Sequence, residues 1–115
     1  MSRRQTRIDL DTMSAEFTAV GMRFNEEVPG ENARALLNLA VVLLLPEPSN
    51  KFDPNAVLVC DPADGRPLAH VSRDTLGSLP VLPPEGLQLP VFHSVSREKA
   101  VLFRCATPLF DVEVN

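Results

Sequence analysis

The sequence predicts a mainly β protein, a small OB-like or SH3-like antiparallel barrel of about six strands with one or two short helices. Three observations predict it. Its apolar runs are short, rich in β-formers and closed by turn residues. Eleven prolines cut 115 residues into brief segments, and with no Tyr or Trp the core must be built mainly from Val and Leu. Few connections are long enough for a crossover helix, so neighbouring strands should pair antiparallel.

Residues 1–15 are polar, carry Arg3, Arg4 and Arg7, and show no period. They read as a flexible basic arm, either a solvated tail or an added phosphate contact. Residues 16–115 form a single domain. No apolar stretch follows the arginines, so no signal peptide is expected, and the run Leu39 to Leu45 is too short to span a bilayer. A cytoplasmic protein with no membrane contact is the expectation.

Within the domain, Phe17 to Phe24 reads as the first strand, with Gly21 marking a bulge or close approach. Asn25 to Asn38 is a loop, turned at Pro29-Gly30, with one or two helical turns over Glu31 to Leu37. Leu39 to Leu45 suits a central strand buried on both faces, although the same run could supply a dimer edge. Ala56 to Asp61 and Leu68 to Val71 form a hairpin about Pro62-Ala63-Asp64-Gly65. Ser72 to Leu79 is a short helix with Ser72 as its cap. Leu87 to Val95 and Lys99 to Ala106 pair around Ser96-Arg97-Glu98, and Pro90 demands an edge or a bulge. Leu109 to Val114 is the last strand.

The net charge of -4 argues against broad binding along a nucleic-acid backbone, which needs many cations, and leaves room for a small local site. Cys60 and Cys105 lack metal spacing and read as buried small hydrophobes of a reducing compartment rather than as a disulfide or redox pair. His70 and His93 have no ligand-type partners, and no glycine-rich phosphate loop or nucleophile-base pattern occurs. The expectation is a protein without catalytic residues, metal or cofactor.

Asn50-Lys51-Phe52-Asp53-Pro54-Asn55-Ala56 is the most informative segment. Asn50, Asp53, Pro54 and Asn55 are turn formers, but a Phe beside Asp53 is not something a turn requires. Together with Val20-Gly21-Met22-Arg23-Phe24 before it and Gly65 with Leu68-Ala69-His70-Val71-Ser72-Arg73 after it, the block Leu45 to Val59 resembles the HIRAN domain family in order and spacing. The likeness spans residues 17 to about 80. It implies a modified OB-like barrel that grips the 3′-hydroxyl end of single-stranded DNA, in DNA repair, replication or mobile-element and phage DNA metabolism, with a helicase or nuclease as a protein partner.

By the resemblance, the site comprises Arg23, Phe24, Asn25, Phe52, Asp53, Asn55, His70 and Arg73. Phe24 and Phe52 would stack on bases, Asp53 would accept a hydrogen bond from the terminal hydroxyl, and Arg23 and Arg73 would hold the adjoining phosphate. The carboxylate would also repel a 5′-phosphate or a continuing strand. The family's DNA-binding pattern has a second aromatic where Asn25 stands and a Gly where Ala69 stands. Read from the residues alone, Phe52 could instead plug the barrel, Asp53 could cap its own turn, Phe17 and Phe24 could both be core, and His70 could be a satisfied barrel histidine. A module of the same fold that binds a peptide or partner subunit, and not DNA, is the alternative.

Overall fold

In the computed structural model, which describes residues 3–4, 14–107 and 113–114, strands lie where side chains alternate between interior and solvent. Strand β1 (Arg3–Arg4) pairs antiparallel with β8 (Glu113–Val114). Six others, β2 (Ser14–Val20), β3 (Val41–Pro46), β4 (Val57–Cys60), β5 (Pro67–Val71), β6 (Leu87–Arg97) and β7 (Ala100–Ala106), follow in chain order. All their pairings are antiparallel, and the spatial order β2-β5-β4-β3-β6-β7 returns to β2. The predicted six-stranded barrel is therefore what forms. β3 has a bonded neighbour on each side and presents no edge for a dimer.

The interior is one apolar cluster. Ala15, Phe17 and Ala19 of β2 face Val101, Phe103 and Cys105 of β7, with Val42, Leu44, Val59, Leu68 and Leu89 from the other strands. Phe17 and Phe103 stack with ring centroids 5.2 Å apart. Helix α1 (Glu31–Leu37), at the predicted position, adds buried Leu36 to this cluster. β3 is central as expected but is not buried on both faces: Val42 and Leu44 are fully inside, while Val41, Leu43 and Leu45 are half-covered. The turn ending at Gly86 covers that outer face. Gly86 has φ +91, and a Cβ there would lie 2.9 Å from the Leu44 carbonyl oxygen, so only glycine lets the turn sit so close.

β6 serves two neighbours in turn. Leu87 to Pro90 pair with β3, after which Val91 to Arg97 pair with β7 across a register shift between Val91 and His93. Pro90 sits at this handover, consistent with the bulge its missing N–H required. The Asp61 to Arg66 hairpin also forms as predicted, with the Asp61 carboxylate accepting the Ala63 N–H and Gly65 at φ 73.

Four expectations need correction or fall elsewhere. The first strand starts at Ser14 and ends at Val20, because Gly21 turns left-handed (φ 73) and opens a 3-10 turn, Met22–Asn25, instead of a bulge. The helix after β5 is also 3-10, Arg73–Ser78, and Ser72 makes no side-chain cap. Its start is held instead by Thr75, whose Oγ1 donates to the Ser72 carbonyl and accepts the Thr18 N–H. Of the flexible arm expected over residues 1–15, Ser14 and Ala15 instead belong to β2, with Ala15 buried; the rest of it and most of the strand expected over residues 109–114 lie outside the described residues, apart from the β1 and β8 backbones.

Cys60 and Cys105 are free and fully buried, as small hydrophobes should be. Burial pushes the Cys105 thiol up to about 12; burial, and then the charge of Glu47, push Cys60 up to about 11. Both native thiols stay protonated where the unfolded chain, with ordinary thiols near 9.0, ionises. Their contribution to stability is complete below pH 9.0 and is lost as pH rises towards 11 and 12. Urea melts across that window should show falling stability, and a Cys60→Ala, Cys105→Ala variant should show a shallower fall. A slope identical in the two proteins would contradict this account.

Candidate nucleic-acid interface

The loop between β3 and β4 is folded by its own side chains. The Asn50 Oδ1 accepts the N–H groups of Phe52 (2.9 Å) and Asp53 (3.0 Å), and the Asp53 Oδ1 accepts the Asn55 N–H at 2.9 Å. The Glu47 N–H donates to the Ala56 carbonyl and closes the loop at its base. These bonds engage Asn50, Asp53 and Asn55 and leave Phe52 no role in the interior. Its ring is 95% exposed. Phe52 as a barrel plug is thus excluded, whereas Asp53 does cap its turn as the simpler reading expected.

Asp53 does more than cap. Its Oδ2 lies 3.6 Å from Arg73 Nε, an ion pair that brings the β3–β4 loop and the second 3-10 turn together. Arg73 is itself 78% exposed, so most of its guanidinium faces solvent. The carboxylate, with about four lone-pair directions, keeps acceptor capacity beyond these two partners.

His70 stands on the outer face of the barrel, in register with Leu58, which is in register with Leu45. That ladder places Glu47, two residues beyond Leu45, within reach, and His70 Nε2 lies 2.9 Å from Glu47 Oε1. An ionised carboxylate only accepts, so Nε2 carries the proton and Nδ1 is the nitrogen left for a ligand. His70 is a satisfied histidine on one nitrogen. Sequence reasoning missed Glu47 as its partner, since the two are brought together only by strand register.

Arg23 and Phe24 sit beside, not within, this group. Val20 pairs with His70, and the chain then turns at Gly21 into the 3-10 turn, while Ser72 is bonded two residues back along β2, at Thr18. Arg23–Phe24 and Arg73 therefore leave the sheet on opposite sides of the Val20–His70 pair. Phe24 is 84% exposed, so it is not core; of the two rings considered for the interior, only Phe17 is there. Arg23 and Phe24 line a cavity of about 590 Å³ with Glu26, Gly30, Glu98 and Lys99, and Phe52, Asp53, His70 and Arg73 are not among its walls. Asn55 is exposed in its turn, and the side chain of Asn25 lies outside the described part.

Two further residues escaped the sequence reading. Asn32, buried in α1, donates from Nδ2 to the Met22 carbonyl (3.0 Å), and its N–H reaches Glu26 Oε2 (2.9 Å), so the helix braces the turn that carries Arg23 and Phe24. Its only signal was a polar residue on an apolar helix face. Lys99, from the β6–β7 turn, brings a second cation to the same cavity.

Among the described residues no group of three His, Cys, Asp or Glu is placed to hold a metal ion, and no helix is long and apolar enough to cross a membrane. Compared with protein-family models, curated proteins and solved structures, the chain matches none.

Proposed function

We propose that the chain is a HIRAN-like, non-catalytic module that binds the 3′-hydroxyl end of single-stranded DNA inside the cell, in the service of DNA repair, replication or mobile-element DNA metabolism. The observation that carries this reading is the exposure of Phe24 and Phe52, two large rings held out to solvent by turns whose geometry is fixed without them. Solvent-facing aromatics beside cations are what unpaired bases and their phosphates need. Phe52 offers a stacking face next to Asp53 and Arg73. Phe24 offers another beside Arg23 and Lys99, so each of the two rings has at least one positive charge near it.

Asp53 supplies the selectivity. A free hydroxyl can donate to its carboxylate, while a terminal phosphate brings charge repulsion at the same place. Fluorescence anisotropy with short oligonucleotides tests this, using Asp53→Asn because Asn keeps the cap to the Asn55 N–H. The wild type should prefer a 3′-hydroxyl over a 3′-phosphate by about tenfold or more, the scale of one charge-assisted hydrogen bond. Asp53→Asn should lose most of that preference. Equal affinity of the wild type for both ends would sink end recognition, and a peptide-binding role for the same rings would then be the better account.

A further inference from the structure

We infer that Glu47 and Asn50 are positioning residues: they hold Phe52 and Asp53 in a fixed direction relative to His70 and Arg73, without touching the ligand themselves. This rests on the end-binding reading. The bonds form a circuit. His70 Nε2 and Asn50 Nδ2 both donate to Glu47 Oε1, at 2.9 and 3.2 Å. Asn50 Oδ1 takes the Phe52 and Asp53 N–H groups. Asp53 Oδ2 then meets Arg73, three residues beyond His70 in the chain.

A turn alone would not need this arrangement. An Asx turn uses only the side-chain oxygen at position 50, and Asp would serve as well as Asn. Asn is required by the other half of the carboxamide, whose N–H finds a carboxylate already bonded to His70. Asp there would set two carboxylates against each other. Nor does the circuit serve the core, since Phe52 buries almost nothing and Glu47 lies on the outer face. Its effect is to register an exposed loop against β5, so that the ring, the hydroxyl acceptor and the cation keep their spacing before a ligand arrives.

The test is a swap. Asn50→Asp preserves the turn's acceptor and breaks the link to Glu47; Glu47→Gln combined with Asn50→Asp restores it with donor and acceptor exchanged. Two readouts are followed at neutral pH: amide hydrogen exchange at Phe52 and Asp53 by NMR, and affinity for a 3′-hydroxyl oligonucleotide. The single variant should exchange faster at both amides and bind about tenfold more weakly, the loss expected of a hydrogen bond to a charged group. The double variant should return to within about twofold of wild type at neutral pH. Thermal melts establish that each variant folds.

Wild-type exchange and affinity in Asn50→Asp would overturn the inference, as would a double variant no better than the single one. Faster exchange with unchanged affinity would overturn the positioning role. Should the wild type bind no oligonucleotide, the end-binding reading fails separately; recovery of exchange in the double variant then supports the circuit, and its absence overturns it.

Discussion

Replacing Phe17 with Ala should destabilise the protein by about 3–5 kcal/mol, the cost of removing a fully buried ring and leaving a cavity behind. Phe17 is 2% exposed and stacks on Phe103 at an interplanar angle of 14°. Domains of this kind are stable by only about 5–15 kcal/mol, so the variant should sit near the edge of folding. Phe103→Ala should cost a similar amount. The double variant should cost less than the sum by about 0.5–1.5 kcal/mol, because each single change already breaks the ring pair. Urea denaturation followed by circular dichroism measures all three. A cost below about 1 kcal/mol for Phe17→Ala would place the core elsewhere.

Phe52→Ala should behave in the opposite way, leaving the urea midpoint almost unchanged while removing much of the DNA affinity. A ring that is 95% exposed contributes little to folding, and its truncation should shift stability by no more than about 0.5 kcal/mol. Loss of one stacking platform costs about 1–3 kcal/mol per base, a drop of roughly five- to 150-fold in affinity. Phe24→Ala should lose affinity likewise. The contrast with Phe17 separates rings that build the barrel from rings that the barrel displays. Anisotropy and denaturation on the same preparations read both effects, and an undiminished affinity in both variants would remove aromatic stacking from the account.

Much of the barrel was legible because its signals are local. The alternation along Ala15, Phe17 and Ala19, the turn chemistry of Asp61 to Gly65 and the Pro90 bulge each announce their structure within a few residues. Gly21 was ambiguous for a physical reason: in a run of β-formers a glycine can mark a bulge or end the strand, and a left-handed φ of 73 chose the latter. The half-covered outer face of β3 was hidden because its cover, the turn at Gly86, lies some forty residues away in sequence, which no periodicity reports.

The candidate site was legible in parts for a similar reason. Turn formers identified the Phe52–Asp53 loop, and the aromatic residue they did not explain is held out in solvent. The pairing of Glu47 with His70 depends on the register of three strands, Leu45 to Leu58 to His70, and register is not a local property. The same holds for Lys99, whose hairpin meets the Arg23–Phe24 turn only because β7 runs back along β2 to the Val20–Ala100 pair.

The central claim is that Phe52, Asp53 and Arg73, with the Arg23–Phe24 turn beside them, receive a DNA 3′ end. NMR titration of ¹⁵N-labelled protein with a short single-stranded oligonucleotide carrying a free 3′-hydroxyl tests it most directly. Shifts concentrated on Arg23–Phe24, Asn50–Asn55 and His70–Arg73, and weakened when the oligonucleotide ends in a phosphate, are the predicted result. Shifts absent from these segments, or unchanged by the terminal phosphate, would contradict it.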